Sequence, residues 1–379
     1  MPAKTDRPSS FKLGKIQLID WLLLAVPTAF LIRFVPAWYN ESLLFFISGL
    51  AIIPLARWMG LATENLGERT GPAVSGLLNA TFSNAPEFII ALVALSKGLI
   101  GVVKASLIGS IIGNILFVLG IAMLTAGMRF RHLRFNQTGV RVAATSLSLA
   151  AIGLVIPSIF HRAVQQQGSR WSPLAERNLS VAIAVVLLIT YGFWLTFSLV
   201  THKELFAGQK AASRESGPEK PAAWSLTKGV LILAVATILV VMLSELLAGS
   251  VESVCKNLGL SETFVGVIIV SIIGNAGEST AVWAALKNKM DLSLSIVIGS
   301  SLQIALLVTP LLVLVSHFIG HPMTLEFSLP EIASLVLAVG TVVLICSDGE
   351  CNWLEGAQLL SVYLIIVVLF YFLPEPLPL

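Results

Sequence analysis

Two carboxylates lie where a lipid-spanning chain pays most heavily for them. Glu87 falls in GLLNATFSNAPEFIIALVAL, from Gly76 to Leu95, and Glu278 in GVIIVSIIGNAGESTAVWAAL, from Gly266 to Leu286. Each run is otherwise apolar enough to cross a bilayer. A charge at the bilayer centre costs about 2.5 to 3.5 kcal/mol on insertion scales, so an intramembrane ionisable residue faces a partner, a cavity or an ion path. The cores NAPE (Asn84 to Glu87) and NAGE (Asn275 to Glu278) align, with small or apolar residues on both sides. We read them as two halves of one site.

The residue types say what that site can hold. Positions three apart share a helix face, so Asn84 with Glu87, and Asn275 with Glu278, each set an amide oxygen beside a carboxylate. Pro86 has no amide hydrogen and releases the carbonyl of Phe82, while Gly274 and Gly277 loosen the matching turn. A freed carbonyl in a membrane needs a partner, and a cation is one. Calcium takes 6 to 8 oxygens at about 2.3 to 2.6 Å in flexible geometry, more than one motif supplies. Further oxygens are expected from Ser83, from Ser110 and Asn114 on a fourth span, and from Ser300, Ser301 and Gln303 on a ninth. Glu245, near the outer end of a seventh span, is read as guarding an entrance, against the plainer reading of a solvated interfacial charge. For the Asn, Ser and Gln residues the plainer reading is hydrogen-bonded helix packing. Two carboxylates close together in a low dielectric also repel each other when ionised, so protons and a divalent cation compete for them.

The elements that position these groups follow from composition. With 379 residues, 56% hydrophobic and 12% charged, and a mean hydropathy of +0.89, the chain is expected to be an all-α polytopic membrane protein. Its formal charge of +3 gives no indication of nucleic acid. Cys255, Cys346 and Cys351 lack CxxC spacing and neighbouring His ligands, so neither zinc nor a disulfide framework is indicated. His317 and His321 flank a helix end marked by Gly320 and Pro322, which argues against a histidine metal site. A polar, basic N-terminus without a cleavage signature suggests a retained first helix rather than a signal peptide.

At about 20 residues per span there are about eleven segments. They run from Gln17 to Val35, Ser42 to Met59, Pro72 to Leu95, Ala105 to Ala126, Thr138 to Phe160, Leu179 to Val200, Leu226 to Ala248, Thr263 to Leu286, Leu292 to Val315, Pro330 to Cys346 and Trp353 to Phe372. The polar stretch Thr201 to Trp224 divides them. After each acidic motif come a Lys-containing loop and a segment opening with Gly-Ser, GSIIGNILFVLG from Gly109 and GSSLQIALLVTP from Gly299. That is a tandem repeat. An odd number of spans per unit inverts the second unit, the pattern of secondary transporters with a midplane site. The division expected is 1–39 for a tail and first helix, 40–202 for a first five-helix repeat, 203–225 for a cytoplasmic linker and 226–379 for a second repeat. A cytoplasmic N-terminus places seventeen of the 24 basic residues inside, as the positive-inside rule favours, and the C-terminus outside.

LLNATFSNAPEFIIAL, LSETFVG, VGVIIVSIIGNAGES and KNKMDLSLSIVIGSSLQIALLVTP resemble the calcium/proton antiporters, the cation/proton exchanger branch of the calcium/cation antiporter superfamily. The resemblance covers nearly the whole chain. It implies two inverted five-helix repeats behind an extra helix, acidic ligands at Glu87 and Glu278, transported Ca2+ and H+, and no cofactor. Two departures stand out. Family members often carry His after the second motif's Glu, where this chain has Ser279. Many also carry a strongly acidic helix between the halves, where this linker has only Glu204, Glu215 and Glu219 among basic residues.

The function expected is export of calcium from the cytoplasm in exchange for protons by alternating access. Partners are the two ions and the lipid bilayer, and the expected location is a prokaryotic plasma membrane. One rival is a sodium/calcium exchanger, which calls for additional sodium ligands around the same motifs. The other is an intramembrane carboxylate-dependent hydrolase, for which inverted repeats serve no purpose.

Overall fold

The computed structural model describes residues 18–70, 78, 81–166, 172–202, 205 and 224–374. The polar N-terminal tail, the opening of the segment expected from Pro72, and nearly all of the linker lie outside the described residues. The chain is nearly all helical. After a 3-10 turn (Leu18–Leu24) come α1 (Ala25–Phe34), α2 (Glu41–Thr70) and α3 (Ala85–Ser96). There follow α4 (Ile100–Arg129), α5 (Gln137–Gln166), α6 (Pro173–Thr196) and α7 (Leu226–Gly249). A short helix, Val251–Leu258, precedes α8 (Glu262–Leu286), α9 (Met290–Ile319), α10 (Leu329–Ile345) and α11 (Trp353–Tyr371). Eight described helices are long and apolar enough to cross a membrane, while Ala85–Ser96 and Leu329–Ile345 are shorter apolar helices.

Several helices run longer than hydropathy alone suggests. α2 continues from Met59 to Thr70 through polar residues, and its end is held by contacts that hydropathy does not register. Trp58 stacks on Trp224 with ring centroids 5.9 Å apart, and Arg69 donates to the Trp224 carbonyl. Caps fix other boundaries: Ser225, Ser261 and Ser328 each accept a backbone amide at a helix start, and Asn352 with Glu355 forms a capping box opening α11. A two-residue ribbon was not expected. Leu133–Arg134 pairs antiparallel with Glu350–Cys351, and Arg134 bonds Glu350 at 2.8 Å, inside what reads in sequence as plain basic loop.

Successive helices run to alternate ends of the molecule. At one end the ribbon joins the α4–α5 and α10–α11 connections, and Asp291 at the start of α9 accepts the Asn136 amide. At the other end Lys104, near the start of α4, bonds the Glu326 carbonyl in the α9–α10 connection at 2.7 Å, and His161 and Glu176, at the facing ends of α5 and α6, pair at 2.6 Å.

Two apolar cores result, each drawing on both sequence halves. One centres on α4, α5, α9, α10 and α11, the other on α1, α2 and α7. The closest crossing is between α4 and α8. A Cβ on Gly109 would lie 2.1 Å from the Val267 carbonyl oxygen, and one on Gly266 would lie 2.6 Å from Ala105 Cβ. Small residues let the two backbones touch, the contact that replaces hydrophobic burial as a source of helix association in lipid.

Candidate functional site

Both acidic motifs sit where their helices are irregular. Thr81 and Phe82 are helical, Ser83 and Asn84 form a turn, and α3 restarts at Ala85 with Pro86 in its first turn and Glu87 behind it. The fourth residue after Phe82 is Pro86, which offers its carbonyl no amide. In α8 the break is Asn275–Glu278 itself, a 3-10 turn between Ser271–Gly274 and Ser279–Leu286. Each carboxylate thus stands at the amino end of a helical segment, where the backbone dipole favours negative charge. The expected continuous third span is replaced by a helix that begins inside the motif, because a proline in its first turn starts a helix more readily than it continues one.

The two motifs meet with α4 and α9. Glu87, Glu278, Asn84, Asn275, Ser110, Asn114, Ser300 and Ser301 are all buried. Glu87 packs over Gly274, whose added Cβ would lie 3.0 Å from Glu87 Cγ, and the charges of Glu87 and Glu278 act on one another. Asn275 Nδ2 donates to the Ser110 carbonyl at 3.0 Å, and Asn114 Nδ2 to Ser300 Oγ at 3.2 Å. A carbonyl only accepts, so the first bond fixes which end of the Asn275 amide faces the site.

Ser300 is the hub. Its hydroxyl stands 2.5 Å from Asn84 Oδ1 and 2.8 Å from Glu278 Oε1. A hydroxyl carries one proton, so both contacts are hydrogen bonds only when the carboxyl of Glu278 supplies a second one. Gln303 Oε1 accepts from Ser83 Oγ and Asn84 Nδ2, both at 2.6 Å, tying the α3 motif to α9.

Four oxygens in this cluster have no hydrogen-bond partner among the described residues: Glu87 Oε2, Glu278 Oε2, Asn114 Oδ1 and Asn275 Oδ1. Leaving a buried polar atom unpaired costs about 1 to 3 kcal/mol, more for a charged group. Among the described residues no basic side chain pairs with either carboxylate. Four hard oxygens, one from each motif carboxylate and two from amides, form a donor set suited to a desolvated divalent cation.

The remaining expected residues divide. Ser110 contributes its carbonyl to Asn275. Ser83 donates to Gln303 Oε1, which also accepts from Asn84, so that oxygen is already committed. Ser301 donates to the Val297 carbonyl of its own helix at 2.9 Å. Glu245 is exposed on α7, and no hydrogen bond or ion pair described here links it to the cluster. His317 Nδ1 pairs with the Val313 carbonyl of its own helix at 2.7 Å.

The sequence reading missed two features. Gly113 lies against Asn275, a Cβ there falling 2.7 Å from Asn275 Nδ2, so Gly113 and Gly274 together make room for one ligand from each motif. The four-residue spacing of Gly109 and Gly113 in GSIIGN was the available signal. Second, α4 carries a π-helical turn at Gly113–Val118 and α9 one at Ile304–Val308, each beside site residues, with Thr309 Oγ1 donating to the Ile304 carbonyl at 2.8 Å. Such turns concentrate at functional sites but have no reliable sequence signature.

The sodium/calcium exchanger protein family matches residues 41–200 and 228–372. A Ca(2+)/H(+) antiporter of Aphanothece halophytica is 44% identical over 372 residues, covering 96% of this chain and 98% of that protein. The Ca(2+)/H(+) antiporter ChaA of Bacillus subtilis is 41% identical, covering 88% and 93%. The solved structure of native YfkE superposes with a TM-score of 0.80 at 36% identity, covering 94% of this chain and 100% of that one. A crystal structure of the H+/Ca2+ exchanger CAX, 16% identical with a TM-score of 0.69, shares the fold. The chain therefore belongs to the sodium/calcium exchanger protein family, within its calcium/proton antiporter branch.

Proposed function

We propose that this chain is a secondary active antiporter that exchanges Ca2+ for H+ across a membrane, with Glu87 and Glu278 as the carriers both ions share. The observation that carries the reading is the set of four oxygens, Glu87 Oε2, Glu278 Oε2, Asn114 Oδ1 and Asn275 Oδ1, gathered from α3, α4 and α8 with no partner and no paired basic side chain among the described residues. A cation drawn into this set gains two formal charges and two amide dipoles. Backbone carbonyls and water complete its shell.

The same oxygens account for the proton. The Ser300 network closes when Glu278 holds one, and calcium, which needs the oxygen as an anion, displaces it. Loading with calcium therefore removes the bond that Ser300 accepts from Glu278, while Ser300 keeps Asn84 Oδ1 as its acceptor. Asn84 is in turn held by Gln303, so occupancy of the carboxylates is felt by both α3 and α9. Either two protons or one calcium can neutralise the pair, and the form with neither leaves two like charges buried.

In this reading α2 to α6 and α7 to α11 are two inverted repeats behind α1, and rocking between them opens the site to alternate sides. Two observations support it: the motifs sit at broken helices in corresponding positions, and the loops alternate between two ends. We assign the end bearing the ribbon to the cytoplasm on the distribution of basic residues. The related antiporters of bacteria favour a plasma membrane.

The test is calcium uptake by vesicles reconstituted with purified protein. An imposed pH gradient is expected to drive uptake without sodium. Uptake that follows a sodium gradient and ignores pH would replace this reading with sodium/calcium exchange.

A further inference from the structure

A second cluster of ionisable side chains lies at the end of the molecule opposite the ribbon. His161, near the end of α5, stands between two carboxylates: its Nδ1 is 2.6 Å from Glu176 Oε1 at the start of α6, and its Nε2 is 2.7 Å from Glu326 Oε1 in the α9–α10 connection. The three side chains are 18%, 25% and 33% exposed. A neutral imidazole has one N–H, so it satisfies one ionised carboxylate and turns a lone pair on the other; only the imidazolium donates to both. One ligand atom from each of the three side chains lies within 4.8 Å of the other two, close enough to share a metal ion, so the test below separates a metal from a proton.

Among the described residues, charges near the ring come from several elements. α4 contributes Lys104, bonded to the Glu326 carbonyl at 2.7 Å and to Thr324 Oγ1 at 3.2 Å. α6 contributes Glu176, α10 contributes Glu331, and the connection contributes Glu326 and His321, while Arg162 and Arg177 point to solvent. Counting only these described groups, Glu176, Glu326 and Glu331 against Lys104 and a charged His161 leave one net negative charge, and a neutral ring leaves two.

The connection this ring holds is tied to helices of the transport site. It leaves α9, which carries Ser300 and Gln303. Its backbone is pinned to α5 and α6 by Ser158, which accepts the Phe327 amide at 2.7 Å, and by Ser180, which accepts the Leu325 amide at 3.0 Å. Its His321 lies over Gly98 in the turn between α3 and α4, within 3.3 Å of where a Cβ would be. Segment 320–328 thus touches the ends of three helices that carry site residues.

We infer that His161, clamped between Glu176 and Glu326, is a proton-operated catch that fastens segment 320–328, making helix movement sensitive to pH at that face through a site separate from the transported protons. When the ring is charged the catch is closed. When the ring is neutral, one carboxylate meets a lone pair, and the segment loosens. That this face is extracytoplasmic rests on the orientation proposed above, but the catch itself does not.

Amide hydrogen exchange of the full-length protein in detergent tests it without relying on transport. Between about pH 5 and 9, after correction for intrinsic rates, protection over 320–328 in the wild type is expected to fall about tenfold, the scale of one charge-assisted hydrogen bond. His161→Gln should show low protection at every pH, and His321→Ala should keep the wild-type profile. A pH-dependent fall that survives in His161→Gln, or a flat wild-type profile, overturns the catch. Zinc that restores protection at high pH only when His161, Glu176 and Glu326 are all present would also overturn it, reassigning the cluster as a metal site. With the catch established, His161→Gln in vesicles should retain pH-driven calcium uptake, losing only the part of its pH dependence at the catch face that the transported protons do not supply.

Discussion

Replacing Gly113 by Ala moves one proposed ligand while leaving the helix packing in place. A Cβ at this position lies 2.7 Å from Asn275 Nδ2, and the next nearest atom, Asn275 Cγ, is already at 3.9 Å. Ordinary contact begins at 3.4 Å, so the amide nitrogen must retreat by the difference, about 0.7 Å. It is held at 3.0 Å from the Ser110 carbonyl, so the retreat weakens that bond and swings the unpartnered Oδ1 with it. Calcium–oxygen distances span only about 0.3 Å, from 2.3 to 2.6 Å, so the displacement exceeds the tolerance of the shell. Folding is expected to change little. Ala gains about 0.5 to 1 kcal/mol over Gly within a helix, and the strained hydrogen bond loses about 0.5 to 1.5 kcal/mol. Purified Gly113→Ala should therefore melt within about 4 °C of the wild type and bind calcium about tenfold more weakly, equivalent to about 1.4 kcal/mol. Calorimetric titration with thermal denaturation measures both. Unchanged melting with calcium affinity within twofold of wild type would refute the placement of Asn275 as a ligand.

Glu87→Gln and Glu278→Gln should each abolish coupled exchange in vesicles while preserving folding, because the amide keeps the size and loses the charge; wild-type exchange by either would remove that carboxylate from the mechanism. Asn114→Ala should raise the calcium concentration needed for half-maximal uptake, whereas Ser301→Ala, whose hydroxyl is turned to Val297, should leave it within about twofold, as removal of a local side-chain bond in a helix does. The native thiols should resist maleimide, since Cys255, Cys346 and Cys351 are all buried, and burial raises the Cys351 thiol above its ordinary value. Single cysteines then report sidedness: one in the loop around Arg131 should label from the cytoplasm and one near Arg162 from the opposite face. Labelling of both from the same side would break the proposed topology.

The carboxylates and amides were legible in sequence because lipid makes polarity conspicuous: Glu87, Glu278, Asn84 and Asn275 stand out from apolar runs, and their recurrence identifies a pair. Most helices were legible for the same reason. What each oxygen does was not. Gln303, Ser83 and Ser300 have the composition of ligands, yet the structure spends Gln303 on Asn84 and Ser83, and makes Ser300 a hub, distinctions set by a partner more than two hundred residues away. Gly113 read as an ordinary small residue in a membrane helix, because its purpose is defined by Asn275 on another helix. The His161 cluster escaped notice because its three members are spread over separate loops and helix ends with no motif in common.

The account rests on competition between protons and calcium for one pair of carboxylates, and the most direct measurement is the calcium Kd of the purified protein as a function of pH. If both carboxylates must be ionised to bind the cation, the apparent Kd should rise as pH falls, approaching about a hundredfold per pH unit where both are protonated, one factor of ten for each proton displaced. In Glu278→Gln or Glu87→Gln the remaining steepness should not exceed about tenfold per unit. A wild-type Kd that is independent of pH would contradict the shared-site mechanism.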